Sequence, residues 1–172
     1  MKNVMLRIIP IYFLLVSTSL LAQQELSLSP SGYGSVTVPK PMKTTEKIIE
    51  TAKSWVANFN QTIDYPYEVY DITSDGFKID GHKPNAFYYR NRGEAFYHRV
   101  KYTLNVQLRE TTYSIRVSIP EIYTSDVLTE LRVADFFAPD GRVKDDYIDA
   151  KPSLDKSVNS IIRSFTDFMA TY

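Results

Sequence analysis

Between Phe96 and Ile119 apolar and polar residues alternate so regularly that two neighbouring strands and both of their faces can be read from the letters. Even positions carry Phe96, Val100, Tyr102, Leu104, Val106 and Leu108. After Glu110-Thr111 the parity switches to Tyr113, Ile115, Val117 and Ile119, as a reversal of direction through a short turn requires. The pattern predicts a β-hairpin with one buried face. The other face carries Tyr97, Arg99, Lys101, Thr103, Asn105, Gln107, Arg109, Ser114, Arg116 and Ser118, so any exposed function of this sheet is written in those side chains.

A different period governs two other stretches. Thr44 or Thr45 can cap a helix with Glu46 in its first turn, and Ile48, Ala52, Trp55, Val56 and Phe59 then recur as one apolar stripe. Near the end of the chain Ser153 is placed to cap a second helix, striped by Leu154, Val158, Ile161, Ile162, Phe165 and Met169. Between them Pro66 opens a strand over residues 67–73, and Asp75-Gly76 gives a type I′ turn signal before a strand over 77–81. That register sets Ile72 against Ile79 on one side and Asp71 against Asp80 on the other. Residues 83–93, with Pro84, Asn85, Asn91 and Gly93 around Phe87-Tyr88-Tyr89-Arg90, break the periodicity and read as a loop rich in large side chains. Pro120 ends the second hairpin strand in this reading. Residues 122–137 offer one further strand, best centred on 128–136, whose phase Val127-Leu128 and Phe136-Phe137 leave ambiguous.

With a short strand at Ser35-Val36-Thr37-Val38 closed by Pro39, the order becomes strand, helix, four or five antiparallel strands, helix. This is an α+β domain: a curved antiparallel sheet of about five to six strands with two amphipathic helices on one face, β-α-β(4)-α. The opposite face is left open to water.

Composition adds a compartment. Lys2 and Arg7 precede the apolar run from Ile8 to Val16 and then Ser17-Thr18-Ser19-Leu20-Leu21-Ala22, the layout of a secretory signal peptide over residues 1–22. Pro10 and the serines interrupt the run before it is long enough to span a bilayer, so no transmembrane helix is expected in the mature form. Residues 23–43, rich in glycine, proline and serine, read as a flexible lead with the short edge strand, and residues 44–172 as a single domain. The chain has no cysteine, which excludes disulfides, thiolate metal sites and lipid attachment through an N-terminal cysteine. Removing Lys2 and Arg7 from the 20 basic residues leaves 18 against 20 acidic ones, a net charge of −2. A generic nucleic-acid binder is basic, so no nucleic-acid partner is expected.

The helix Ile48-Ile49-Glu50-Thr51-Ala52-Lys53-Ser54-Trp55-Val56-Ala57-Asn58-Phe59, the segment Gly76-Phe77-Lys78-Ile79-Asp80-Gly81 and the run Tyr102-Thr103-Leu104-Asn105-Val106 leading to Tyr113-Ser114-Ile115-Arg116-Val117 carry a resemblance. Over residues 45–123 the chain resembles a family of small secreted bacterial proteins of unknown function with a TATA-binding-protein-like fold. The resemblance implies a fold and a compartment and supplies no catalytic residues. The fold's name does not import its function: DNA bending uses two such units, a basic saddle and apolar wedges, whereas this chain has one unit and an acidic balance.

Catalytic signatures are sparse. There is no G-x-S-x-G elbow, no third glycine after Gly32-Tyr33-Gly34 and no phosphate-binding G-x-x-x-x-G-K-[ST], so no cofactor is implied. Asn60-Gln61-Thr62 matches a glycosylation acceptor by letters only. Asp71, Asp80 and His82 on the exposed face form a weak candidate for a divalent cation or a small metal-dependent hydrolase; weak surface ion pairs with Lys78, Arg99 or Lys101 are the plainer reading. His98, in phase with Phe96 and Val100, reads as a core or sheet-end histidine. Thirteen tyrosines are the unusual number. Tyr88, Tyr89 and Tyr97 interleaved with Arg90, Arg92 and Arg99, together with Lys101, Arg109 and Arg116, mark a surface suited to a protein, glycan or anionic ligand. The leading expectation is an exported, periplasmic or extracellular, non-enzymatic binding domain using the open sheet face and the 83–93 loop. A structural component of an envelope assembly, adding a strand at the edge near Ser35, is the other alternative.

Overall fold

The computed structural model describes residues 25–59 and 65–172. The expected signal peptide and the Asn60-Gln61-Thr62 acceptor lie outside the described residues. The elements are β1 (Ser35–Pro39), α1 (Thr45–Phe59), β2 (Glu68–Thr73), β3 (Gly76–Asn91), β4 (Glu94–Leu108), β5 (Thr112–Thr124), β6 (Val127–Leu128) and α2 (Ala150–Thr171), with short 3-10 turns at Val133–Phe136 and Asp145–Tyr147. The sheet runs β1-β5-β4-β3-β2, with β6 paired to β5, and every pairing is antiparallel. This is the expected α+β architecture.

The alternation that defined the hairpin holds from Val100 to Val117, while Phe96 at its start is exposed and Ile119 at its end only partly buried. Val100, Tyr102, Leu104, Val106 and Leu108 of β4 and Tyr113, Ile115 and Val117 of β5 are all buried. They join the helix stripes, Ile48, Ala52 and Trp55 of α1 and Leu154, Val158, Ile161, Ile162, Phe165 and Met169 of α2, in one core cluster. Trp55 is the pivot between the helices. Its ring stacks on Phe59 at 4.8 Å and meets Phe165 edge-on at 5.1 Å, while its Nε1–H donates to Ser164 Oγ at 3.1 Å.

Several expectations shift. The 83–93 segment is not a loop: β3 runs straight through it and pairs with β4 to the end, Asn91 opposite Glu94. An irregularity between Lys83 and Phe87, with Asn85 at φ 49°, absorbs two extra residues, so facing parity is kept on both sides of it. Proline and asparagine thus mark a bulge, and the turn is confined to Arg92-Gly93, both with positive φ. Pro120 likewise lies inside β5, at a register shift opposite β4, where its missing N–H is tolerated. Downstream, residues 129–137 supply no strand. Only Val127–Leu128 pairs with β5, and the 3-10 turn at Val133–Phe136 buries Phe136 against Phe87. The second helix starts at Ala150, ahead of the expected cap, and the Ser153 hydroxyl donates back to the Asp149 and Ala150 carbonyls inside its first turn.

The described part of the expected flexible lead is held down. Leu26, Leu28 and Tyr33 are buried, and Asp155 of α2 accepts from the Leu28 N–H at 2.9 Å and the Tyr33 hydroxyl at 2.9 Å. Asn159 exchanges two hydrogen bonds with the Leu26 backbone. Asp155→Ala is therefore expected to cost about 1–2 kcal/mol, since it removes the acceptor of two half-buried donors. Hydrogen exchange should show the 25–34 stretch opening while the sheet stays protected.

Candidate functional site

The open face of the sheet is built from the alternate positions that the core does not use. On β4 these are Tyr97, Arg99, Lys101, Thr103, Asn105 and Gln107; on β3 they are Lys78, Asp80, His82, Tyr88 and Arg90. The register shift at Pro120 is decisive for β5. It advances the pairing by one residue, so Glu121 lies opposite Lys101 and Tyr123 opposite Arg99. Tyr123 and Glu121 therefore join the open face, although the parity of Tyr113 to Ile119 would send them inward.

At the centre of this face Arg99 is clamped. Its guanidinium lies 4.0 Å from the Tyr65 ring centroid and 3.8 Å from that of Tyr123, a double cation–π stack. One terminal nitrogen donates to His82 Nδ1 at 2.7 Å, and the other meets Asp126 at 3.3 Å. His82 therefore accepts on Nδ1 and carries its proton on Nε2. The Tyr65 hydroxyl also donates to Asp126, whose carboxyl is held below its ordinary range by that bond and by Arg99. The Arg99 side chain is only 10% exposed while that of Asp126 is 75% exposed. Asp126 comes from the Ser125-Asp126 turn, where both residues have positive φ. A buried, fixed cation is thus capped by a carboxylate from a solvated turn.

Beside it Lys101 bridges Asp80 at 3.3 Å and Glu121 at 3.6 Å, and Asp80 also accepts from Tyr70 at 2.9 Å and Thr103 at 2.7 Å. Burial opposes ionisation of Asp80, but the donors Thr103, Tyr70 and Lys101 outweigh it and hold its carboxyl below the ordinary value. The Tyr123 hydroxyl donates to Glu121 and lowers that carboxyl as well.

The metal or hydrolase candidate does not assemble. The β2–β3 register sets Glu68 opposite Asp80 and Tyr70 opposite Lys78, and the turn is Ser74-Asp75, one residue earlier than its expected position. The irregularity after Tyr70 gives Asp71 a φ of 50° and turns it onto Lys78 at 2.8 Å, while Ile72 is exposed and does not face Ile79 in the core. His82, expected on the surface, is buried beneath Tyr65, whose ring stacks on it at 4.8 Å. Among the described residues no group of three or more His, Asp or Glu side chains converges as a metal site.

The other predicted residues separate. Tyr88 and Tyr97 pair across β3 and β4 with ring centroids 5.6 Å apart, and Arg90 sits over Tyr88 while pairing with Asp149 at 3.3 Å. Tyr89 faces the core side and stacks between Phe96 and His98. Arg92 is exposed at the hairpin tip, Arg109 in the β4–β5 turn, and Arg116 on β5 near the β1 edge. Sequence reasoning missed Tyr65, Tyr70 and Asp126, which reach the cluster from a connection, an edge strand and a turn. Only the strand pairing could have located them.

His98 occupies the opposite, core-side face. It is 4% exposed, stacked on Phe87 at 4.7 Å and on Tyr89 at 5.3 Å, with Nδ1 2.9 Å from the Thr124 hydroxyl. No protein group among the described residues hydrogen-bonds its Nε2. A buried polar atom left so carries a penalty of about 1–3 kcal/mol.

Burial, and for His82 also the Arg99 charge, keeps both histidines below the ordinary value of 6.5. The unfolded chain then binds more protons once pH falls below about 6.5. Their contribution to stability is full above that pH and is lost as pH falls toward the folded-state values. The depressed carboxyls of Asp80, Glu121 and Asp126 add a second loss at more acid pH. Denaturant titrations across pH 7 to 5 should show the first decline, and the double variant His82→Asn, His98→Phe should flatten it.

No described helix is long and apolar enough to cross a membrane. No protein family and no curated protein matches the sequence. Two solved structures are similar. A TBP-like protein from Parabacteroides distasonis ATCC 8503 aligns with a TM-score of 0.53 at 12% identity, over 80% of this chain and 92% of that one. A DUF4468 family protein from Bacteroides ovatus ATCC 8483 aligns with a TM-score of 0.52 at 10% identity, over 81% of this chain and 86% of that one. With an open antiparallel sheet backed by two helices and these two structural neighbours, the chain has the TATA-binding-protein-like α+β fold.

Proposed function

We propose that this protein is an exported, non-enzymatic binding domain whose ligand side is the open sheet face, and that its contact centre is the Tyr65-Arg99-Tyr123 clamp meeting a carboxylate of a protein partner. One observation carries this reading: a guanidinium fixed between two tyrosine rings is capped by the carboxylate of a solvated turn residue, Asp126. Arginine and tyrosine in such settings dominate interface energetics, because their rigid, desolvated groups lose little entropy on contact. A partner's carboxylate can take the place of Asp126 on the same two donors. The Tyr88-Tyr97 pair extends the same face toward the hairpin tip, so the aromatic surface continues beyond the clamp.

The test compares envelope proteins retained by the wild type, Arg99→Ala and Asp126→Asn. Loss of the retained partner with Arg99→Ala, and retention at least equal to wild type with Asp126→Asn, support the reading. A partner held unchanged by Arg99→Ala contradicts it. Export is checked separately, by a mature N-terminus at Gln23 in the envelope or medium fraction.

A further inference from the structure

On the face away from the clamp, beyond the ends of both helix stripes, the sheet is covered by the 129–147 stretch, and a pocket of about 510 Å³ opens there between β3, β4, β5 and the Asp145–Tyr147 turn. The volume suits a small organic molecule. Its wall groups are unusual for a surface cleft. Tyr89, Tyr147, Thr124, Thr129 and the imidazole of His98 all line it, and each carries a hydrogen-bonding group that is neutral at physiological pH. Arg90, already paired with Asp149, and Asp146 complete the polar part of the lining.

Several hydrogen-bonding positions are committed in a way that leaves others open. Thr129 donates its hydroxyl proton to the Ile122 carbonyl and keeps its lone pairs. Thr124 engages His98 Nδ1 and so fixes the ring as part of the pocket wall, with Nε2 enclosed and without a hydrogen-bond partner among the described residues. Tyr147 stacks on Phe136 with ring centroids 4.6 Å apart, and this supports its ring as a rigid platform. A flat apolar surface beside a set of neutral donors and acceptors complements a molecule with one apolar face and several hydroxyls.

We infer that this pocket is a second, small-ligand site that takes a neutral sugar, with its hydroxyls on the Thr124, Thr129 and Asp146 side chains and its apolar face on Tyr147. The site is independent of the Arg99 clamp, which lies on the other face of the sheet.

The chain has two histidines, and they serve as reporter and reference: His98 lines the pocket, whereas His82 sits in the clamp. The experiment is an imidazole NMR titration of the folded protein with D-glucose, D-galactose and N-acetyl-D-glucosamine, each into the millimolar range. At least one sugar should shift the His98 ring signals saturably while leaving those of His82 in place. Asp146→Asn, an exposed change that leaves the core untouched, should weaken that midpoint about tenfold. Tyr147→Phe, which keeps the stacking ring, should bind within about twofold of wild type. The inference is overturned if none of the three sugars moves His98 beyond His82, or if the shift persists unchanged in Asp146→Asn.

Discussion

Replacing Trp55 with alanine is expected to destabilise the protein by about 3–5 kcal/mol, the range for removing a large aromatic side chain from a well-packed core. Trp55 is 1% exposed, and it touches both helices at once through Phe59 and Phe165. Its loss also leaves Ser164 without the indole donor. Since domains of this size are stable by about 5–15 kcal/mol, the variant should be largely unfolded well below the wild-type melting temperature. The comparison is made by circular dichroism under urea, because Trp55 is the sole tryptophan and the substitution removes the fluorescence probe. Trp55→Phe keeps a stacking ring and should recover more than half of the loss.

Gly76→Ala should produce the second large effect, at the upper end of about 1–3 kcal/mol or beyond it. A Cβ at this position would fall 2.1 Å from the Val106 carbonyl oxygen and 3.2 Å from its carbonyl carbon. These are backbone atoms of the adjacent strand, so no rotamer change relieves the overlap. Glycine stands where two backbones approach closely at the start of β3. The variant should open the β2–β3 turn and the end of the β3–β4 ladder. Faster exchange of the Leu108 amide, which donates to the Asp75 carbonyl, is the local signature.

Gly76 also shows where the sequence could be read and where it could not. Asp75-Gly76 announced a turn, yet the letters do not say that glycine is needed for strand contact rather than for turn geometry. The turn consequently falls at Ser74-Asp75, and the β2 register moves with it. The β4–β5 core face was fully legible from Val100 to Val117, because uninterrupted alternation admits one phase. Where a bulge intervenes, alternation loses its authority. The shift at Pro120 sends Tyr123 to the open face, and the irregularity between Lys83 and Phe87 turns an expected loop into strand. The helix stripes were legible in the main, although Val56 and Phe59 are only partly buried and Thr51 is buried unannounced, while the start of α2 was not, since Ser153 is as acceptable inside a first turn as at its cap.

The same distinction separates the parts of the candidate site. Arg99 and Lys101 were identified as outward cations, and both are on the open face. Their neighbours decide what they can do. Lys101 is neutralised between Asp80 and Glu121, whereas Arg99 faces the carboxylate of Asp126, a residue of a solvated turn. The basic face foreseen from the alternation is therefore a mixed-charge surface with one fixed guanidinium at its centre.

The most direct measurement of that account is site-specific photo-crosslinking in the intact envelope. A photoreactive residue placed at Gln107 or Ser118 lies on the open face, and one at Lys53 or Lys156 lies on the exposed side of a helix. The account predicts discrete adducts from Gln107 and Ser118 that disappear with Arg99→Ala, and none from Lys53 or Lys156. Adducts of equal strength from both sets, or from the helix positions alone, would contradict it.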